Sequence, residues 1–141
     1  MTNYTKYRFL DHTGDAAVEV FGTTLEELFE NSAEAFTSLL TDLSKVKNKT
    51  TKNITVEGND NDQLLLNLLS ELIFHYDVNR FLCFKANITN ITSNKLTATL
   101  EGEILDESKH EIYTEIKAVT YHELNIHKEG KMYKTKIVFD L

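Results

Sequence analysis

The sequence contains no proline, five glycines and a single cysteine, Cys83. Without proline-rich or glycine-rich stretches no linker divides the chain, and 141 residues are expected to form one domain spanning 1–141. A lone cysteine excludes an internal disulfide framework and a Cys-x-x-Cys metal site. Cys83 lies in the apolar run 81–84, so we expect a packed core thiol and a reducing compartment.

Long apolar runs and familiar enzyme motifs are also absent from the sequence. No segment approaches the roughly 18 apolar residues of a membrane span, so we expect a soluble, cytoplasmic protein without a membrane partner. The sequence has no Gly-x-x-x-x-Gly-Lys phosphate loop, no Gly-x-Gly-x-x-Gly motif and no Gly-x-Ser-x-Gly nucleophile elbow. It therefore offers no complete set of catalytic residues.

The chain has fewer basic than acidic residues. The chain has 15 lysines and arginines against 22 aspartates and glutamates, a formal net charge of −7. An acidic surface repels phosphate backbones. We therefore expect no tight, direct binding to nucleic acid.

Apolar residues recur at helical spacing in two segments. The first begins at Thr24, which is predicted to form a capping box with Glu27. The second begins near Asp62 and ends at 77–79. Their predicted buried faces are Leu25, Leu28, Phe29, Ala33, Phe36, Leu39 and Leu40, and then Leu65, Leu68, Leu69, Leu72, Ile73 and Tyr76.

Elsewhere apolar and polar residues alternate, which is typical of strands. Residues 92–94 and 128–130 have the composition of hairpin turns. The sequence therefore predicts an α+β fold class, a mostly antiparallel sheet with two helices packed on one face. The predicted strands are 16–21, 53–57, 81–91, 95–104, 113–121, 123–127 and 132–139.

Polar clusters lie near both ends of the chain. The segment Asp-His-Thr-Gly-Asp at 11–15 precedes the first predicted strand, and the last strand leads into Asp140 and Leu141. Alternation places Asp15 and Asp140 on the polar sides of their strands. If these strands are neighbours, both carboxylates converge with the terminal carboxylate of Leu141, and their mutual repulsion favours a Ca²⁺ or Mg²⁺ site. The alternative interpretation is a set of solvated charges.

Other polar residues have two interpretations each. Lys117 interrupts the apolar residues of a predicted central strand, so it is either buried with an acidic partner or exposed on an edge strand. His12 is either a hydrogen-bonded structural histidine or a catalytic base. His122 and His127 lack the spacing of zinc ligands. Lys-His-Glu at 109–111 is expected in a solvated loop.

Several segments of the chain resemble the archease family, and they follow one another in the order that the family has. The most specific are His-Thr-Gly-Asp at 12–15 and Lys-Ala-Val-Thr-Tyr-His at 117–122, because they occur together and near opposite ends. The other matching segments are Thr-Leu-Glu-Glu-Leu-Phe at 24–29, Gly-Glu at 102–103 with Asp106 and Lys-His-Glu at 109–111, and Phe-Asp-Leu at 139–141.

This resemblance implies a non-catalytic cofactor of a GTP-dependent RNA ligase, which joins RNA ends carrying a 2′,3′-cyclic or 3′ phosphate in tRNA splicing or RNA repair. Family members promote guanylylation of the ligase's active-site histidine and its multiple turnover, using a divalent metal. Carried over to this chain, Asp15, Asp140 and Leu141 hold Ca²⁺, with Mg²⁺ or Mn²⁺ as other candidates. The residues implied for the functional surface are His12, Lys117 and His122.

The resemblance also implies the partners. The ligase is the expected protein partner, RNA is reached only through it, and the chain itself is expected to be a monomer or a weak oligomer. Two other functions stay open from the residues. One is a metal-dependent hydrolase with Asp15 and Asp140 as ligands and His12 as base. The other is a chaperone or adaptor that needs no metal.

Overall fold

The structure is a computed structural model that describes residues 4–11 and 13–141. Its two helices are α1 (Leu25–Leu40) and α2 (Asn61–Asn79), and a short 3-10 helix covers Leu43–Lys45. The strands are β1 (Tyr7–Leu10), β2 (Asp15–Gly22), β3 (Thr50–Glu57), β4 (Phe81–Ile91), β5 (Lys95–Ile104), β6 (Ala118–Thr120), β7 (His127–Glu129) and β8 (Met132–Asp140).

Within the described residues, the strands form two antiparallel sheets. The first has the order β1-β2-β8-β6, with β7 also paired to β8, and the second has the order β3-β5-β4. The predicted α+β class with two helices and antiparallel strands is confirmed, and the strands are divided over two sheets. β1, which was not predicted as a strand, pairs with β2 at the edge of the first sheet.

Helix α1 begins where its sequence predicts. The Thr24 hydroxyl accepts a hydrogen bond from the Glu27 N–H at 3.1 Å, as an N-cap residue does. The Glu27 carboxylate, however, accepts from the N–H of Thr23 at 3.1 Å, so the reciprocal bond of the capping box lies one residue earlier than predicted. The helix ends before Thr41, whose backbone is extended.

Helix α2 is capped at both ends by local chemistry. The Asp60 carboxylate accepts from the Gln63 N–H at 2.8 Å and also places negative charge at the positive end of the helix. At the other end Arg80 adopts a left-handed conformation with φ of 56°, and its N–H donates back to the Tyr76 carbonyl at 2.8 Å. The predicted inner face of α2 is buried.

The core lies between the helices and the two sheets. Helix α1 packs against β2 of the first sheet and β4 of the second, while α2 contacts β3, β4 and β6. Cys83 is buried there, and desolvation raises the pKa of its thiol to about 12, which confirms the predicted core thiol. No helix in the described part of the chain is long and apolar enough to span a membrane. The largest fully buried side chains include Phe29, Phe81, Phe139, Leu28, Leu40, Leu64, Leu65 and Leu68.

The predicted strand at 113–121 is wrong over 113–117 and at Tyr121, because only β6 pairs with a neighbouring strand. The Tyr113 N–H instead donates to the carbonyl of Leu40, at the end of α1, at 2.9 Å. The Leu40 carbonyl has no acceptor role within α1, so it accepts from the Tyr113 N–H in place of a neighbouring strand.

The predicted strand at 123–127 is wrong before His127, where β7 begins. Glu123 has a left-handed backbone with φ of 62°, which interrupts an extended chain. Three residues later the Ile126 N–H donates to the Asp62 carboxylate of α2 at 2.9 Å. The hairpin turn predicted at 128–130 lies slightly later, because Glu129 pairs directly with Met132.

Candidate functional site

The two acidic residues near opposite ends of the chain are neighbours in the first sheet. Strand β2 pairs with β8 along its full length, and Asp15 lies directly opposite Asp140. Directly opposite residues project to the same face with Cβ atoms roughly 4.5–5.5 Å apart. The two strands, whose pairing the sequence left open, are therefore neighbours.

Local structure on three segments holds this arrangement in place. Gly14, with φ of 82°, supplies the left-handed turn that leads into Asp15. The side chain of Leu141 packs against the core and so fixes the main chain beyond Asp140. On the other side of β8, the Lys117 N–H donates to the Asp140 carbonyl at 2.8 Å. We call Asp15, Lys117, Asp140 and Leu141 the tip.

The sheet face that leads away from the tip is lined with ion pairs. Glu19 binds Arg8 and lies 3.3 Å from the Lys134 ammonium. The hydrogen bond from Arg8 is the largest factor that lowers the pKa of the Glu19 carboxyl. The Lys136 ammonium lies 2.7 Å from the Glu123 carboxylate. These basic side chains are therefore engaged by glutamates along the sheet, while Asp140 is exposed at its end.

Lys117 is exposed, immediately before the edge strand β6. The interpretation of a buried ammonium with an acidic partner is therefore wrong, and the alternative of an outward residue at a sheet edge is correct. Its backbone contact with Asp140 makes it a neighbour of the acidic pair. The Lys117 side chain itself lines a groove beside α2, with Phe74 and Asp77.

The histidines are distributed differently. His122 is two-thirds exposed, and its Nε2 lies 3.6 Å from Glu123, which in turn binds Lys136. It therefore lies farther along the sheet than Lys117. His127 is exposed on β7. His12, the candidate base, lies outside the described residues.

The tip offers oxygen ligands for a cation. Among the described residues, no three His, Cys, Asp or Glu side chains gather into a metal-binding group. Asp15 and Asp140 supply two carboxylates on directly opposite residues, and a main-chain oxygen of Leu141 is a candidate third ligand. Carboxylate and main-chain oxygens suit Ca²⁺ or Mg²⁺, which complete their coordination with water. The donor set therefore fits a hard divalent cation.

A second polar cluster is centred on Glu103; its residues were named from the sequence as a matching segment, but their burial together was not predicted. Glu103 is 4 % exposed, and its carboxylate lies 2.8 Å from the Lys109 ammonium. The Lys47 N–H donates to it at 2.6 Å. The Asp106 N–H donates to His110 Nδ1 at 3.0 Å, so Nε2 carries the proton and donates to Glu103 at 3.1 Å.

These contacts keep Glu103 ionised inside the protein. Burial by itself acts to raise the pKa of the Glu103 carboxyl. The hydrogen bonds from Lys109, the Lys47 backbone and His110 outweigh burial and lower this pKa to about 2. The buried Glu103 carboxylate is therefore ionised and binds Lys109, His110 and the Lys47 N–H.

The Glu103 cluster anchors the chain that leads to Lys117. The expectation that 109–111 form a solvated loop is wrong, because the His110 side chain is fully buried. Beyond it, the Thr41 hydroxyl donates to the Glu111 carbonyl at 2.6 Å, and Ile116 is buried. The connection from β5 is thus attached to the body before the chain reaches the tip.

Comparisons with known proteins agree with the sequence resemblance. Residues 7–141 match the model of the Archease protein family (MTH1598/TM1083). The chain is 36 % identical over 138 residues to Protein archease of Sulfurisphaera tokodaii, covering 96 % of this chain and 99 % of that protein. It is 33 % identical over 140 residues to Protein archease of Methanosarcina acetivorans, covering 96 % of each. The chain therefore belongs to the archease family.

Solved structures show the same fold. The solution structure of Methanobacterium thermoautotrophicum protein 1598 is 34 % identical and superimposes with a TM-score of 0.81, covering 96 % of this chain and 99 % of that one. The crystal structure of an archease from Thermotoga maritima, described as a possible chaperone, is 24 % identical with a TM-score of 0.61, covering 99 % and 100 %. The latter supports the fold alone.

Proposed function

We propose that this protein is a non-catalytic activator of a GTP-dependent RNA ligase, acting in tRNA splicing or RNA repair. The observation that carries the proposal is the register of β2 and β8, which sets Asp15 directly beside Asp140. Membership of the archease family supports the choice of partner. RNA is reached only through the ligase, since a chain with net charge −7 is poorly suited to bind it directly.

In this proposal Asp15 and Asp140 hold a divalent cation, Ca²⁺ in the first instance, together with a main-chain oxygen of Leu141. A cation held there neutralises the repulsion of the two carboxylates and offers positive charge to phosphate oxygens. The side chain of Leu141, packed on the core, keeps its main-chain oxygens beside Asp140. Lys117 adds an ammonium that donates hydrogen bonds to phosphate.

The acidic body and the tip have separate tasks in this account. The negative surface attracts the basic cleft of an enzyme that handles RNA and GTP, which raises the rate of association and makes it sensitive to salt. The tip then favours the conformation of the ligase in which its histidine accepts the guanylyl group. The chain supplies no nucleophile to this reaction.

The test is a reconstituted ligation with the ligase of the same organism and an RNA ending in a 2′,3′-cyclic phosphate. Under multiple turnover the wild-type chain is expected to raise both ligase guanylylation and joined product. Asp15→Asn and Asp140→Asn each remove one carboxylate with little change in shape and are expected to abolish the stimulation.

The matched control is Glu129→Gln, which removes a carboxylate from β7, at the opposite end of β8 from the tip. It is expected to stimulate like the wild type. No stimulation by the wild type contradicts the activator function. Full stimulation by both aspartate variants contradicts the tip, and full stimulation after chelation, with the ligase's own metal controlled, favours a metal-independent adaptor.

A further inference from the structure

Helix α2 presents apolar side chains to solvent as well as to the core. Phe74 is 55 % exposed and Val78 is 61 % exposed. They are four residues apart, so they lie on the same side of the helix, opposite the buried leucines. An amphipathic helix on a protein surface normally carries polar residues there. We call Phe74 and Val78 the α2 ridge.

Two grooves flank the ridge at Phe74. One runs between α2 and β6 and is lined by Ile73, Phe74 and Asp77 on the helix and by Lys117, Ala118 and Val119 on the strand. The other lies between α2 and β3, with Glu57, Asn67 and Glu71 beside Phe74. An apolar side chain from a partner has a depression on either side of the Phe74 ring.

The first groove leads directly to the tip. Ala118, which lines it, is paired with Asp140 across β6 and β8. Lys117, the next lining residue, binds the Asp140 carbonyl through its backbone. The groove therefore reaches the end of the sheet at which Asp140 lies, so one molecule can contact both Lys117 and Phe74.

The charged residues beside Phe74 indicate which kind of partner fits this surface. Three carboxylates line the two grooves beside Phe74, those of Glu57, Glu71 and Asp77, together with one ammonium, that of Lys117. Glu71 lies 3.2 Å from the His75 ring, whereas Glu57 and Asp77 form no ion pair within residues 4–11 and 13–141. This pattern complements an apolar side chain flanked by lysine or arginine.

From these observations we propose that the α2 ridge is a docking surface for the ligase itself, receiving a segment with an apolar anchor between basic residues. The proposal rests on the proposed function, because it takes the ligase as the partner. The ridge supplies affinity, since burying exposed apolar side chains between well-packed neighbours carries much of the energy of an interface. The tip supplies activation.

The test measures binding and stimulation separately with the same ligase. Phe74→Ser and Val78→Ser are expected to weaken binding of the full chain by about tenfold each, the effect of removing an interface anchor. Asp77→Lys is expected to weaken it as well. All three are expected to keep the same maximal stimulation at saturating concentration, since the tip is intact.

The matched control is Phe9→Ser, which removes another exposed aromatic ring from β1, at the edge of the first sheet opposite β6. Its affinity is expected to equal that of the wild type, and thermal unfolding of every variant verifies the fold. Unchanged affinity of the Phe74 and Val78 variants overturns the docking surface. So does a wild-type dimer that these variants dissociate, because the ridge would then bind a second copy.

The two proposals fail in different ways. If the wild type binds the ligase without stimulating it, the activator function is contradicted. The docking surface is still supported in that case if Phe74→Ser weakens the binding. Stimulation with equal affinity of the wild type and Phe74→Ser contradicts the docking surface alone. Absence of any binding contradicts both.

Discussion

At the scale of single residues, a buried carboxylate determines the path of the chain to the tip. Glu103 is ionised inside the protein because Lys109, His110 and the Lys47 N–H all donate to it. Removing one partner from such a cluster leaves the others buried without compensation. Its importance is therefore structural, and it reaches the tip through the connection it anchors.

We predict that Glu103→Gln lowers the free energy of unfolding by about 3 kcal/mol at pH 7, the order of magnitude given by the lowered pKa of its carboxyl. A carboxyl whose pKa falls on folding stabilises the protein above its unfolded pKa. That contribution is lost as the pH falls from about 4.5 towards about 2. The difference between wild type and variant should therefore shrink across this range.

Denaturant unfolding of both proteins at pH 7 and pH 3 measures this change. Glu57→Gln, at an exposed position of β3, serves as the control and is expected to alter stability by less than about 0.5 kcal/mol. A Glu103→Gln variant as stable as the wild type at pH 7 would contradict the role given to the cluster.

At the scale of elements, the helices follow local chemistry closely. Both begin at side chains that accept a hydrogen bond from the third residue beyond them, Thr24 for α1 and Asp60 for α2. For α2 the cap also carries a charge that suits the helix dipole. Each element can therefore be tested by a single substitution at its cap.

We predict that Asp60→Ala destabilises the protein by about 1 kcal/mol, because the Gln63 N–H loses its acceptor. Asp60→Asn keeps an acceptor oxygen and should retain most of that stability. Thermal or denaturant unfolding of the three proteins distinguishes them. Equal destabilisation by both substitutions would indicate that the charge of Asp60, and not its hydrogen bond, supports α2.

The sequence predicted elements best where local pattern decides. Strands β4 and β5 have the predicted bounds, and β8 begins at the predicted residue, because alternation reflects burial on one face. Prediction failed between β5 and β8, where long-range contacts replace pairing: Leu40 binds Tyr113, and Asp62 binds Ile126. Such bonds leave no periodic signal.

Alternation along the sequence predicts part of the tip but not the Glu103 cluster. Alternation placed Asp15 and Asp140 on the polar sides of their strands, but only the structure shows that these two strands are neighbours. Strict alternation along β5, by contrast, groups Ile104 with the inward Leu100, yet Ile104 is exposed and Glu103 is buried. Glu103 is buried in place of Ile104 because its carboxylate contacts Lys109 and His110 in the folded protein.

At the scale of the whole molecule, the tip exists only when the fold is complete. Asp15, Ala118 and Asp140 are far apart in sequence, and adjacent strands of the first sheet bring them together. A cation that binds the folded chain at this point stabilises it by mass action. If the tip binds a metal as proposed, metal binding and folding are coupled through the strand register.

The most direct test of the central claim is a calorimetric titration of the metal-free chain with Ca²⁺. The account predicts binding of one equivalent to the wild type and to Glu129→Gln, and loss of that binding in Asp15→Asn and Asp140→Asn, all four proteins being equally folded by circular dichroism. Absence of binding to the wild type, or equal binding by the aspartate variants, would contradict it.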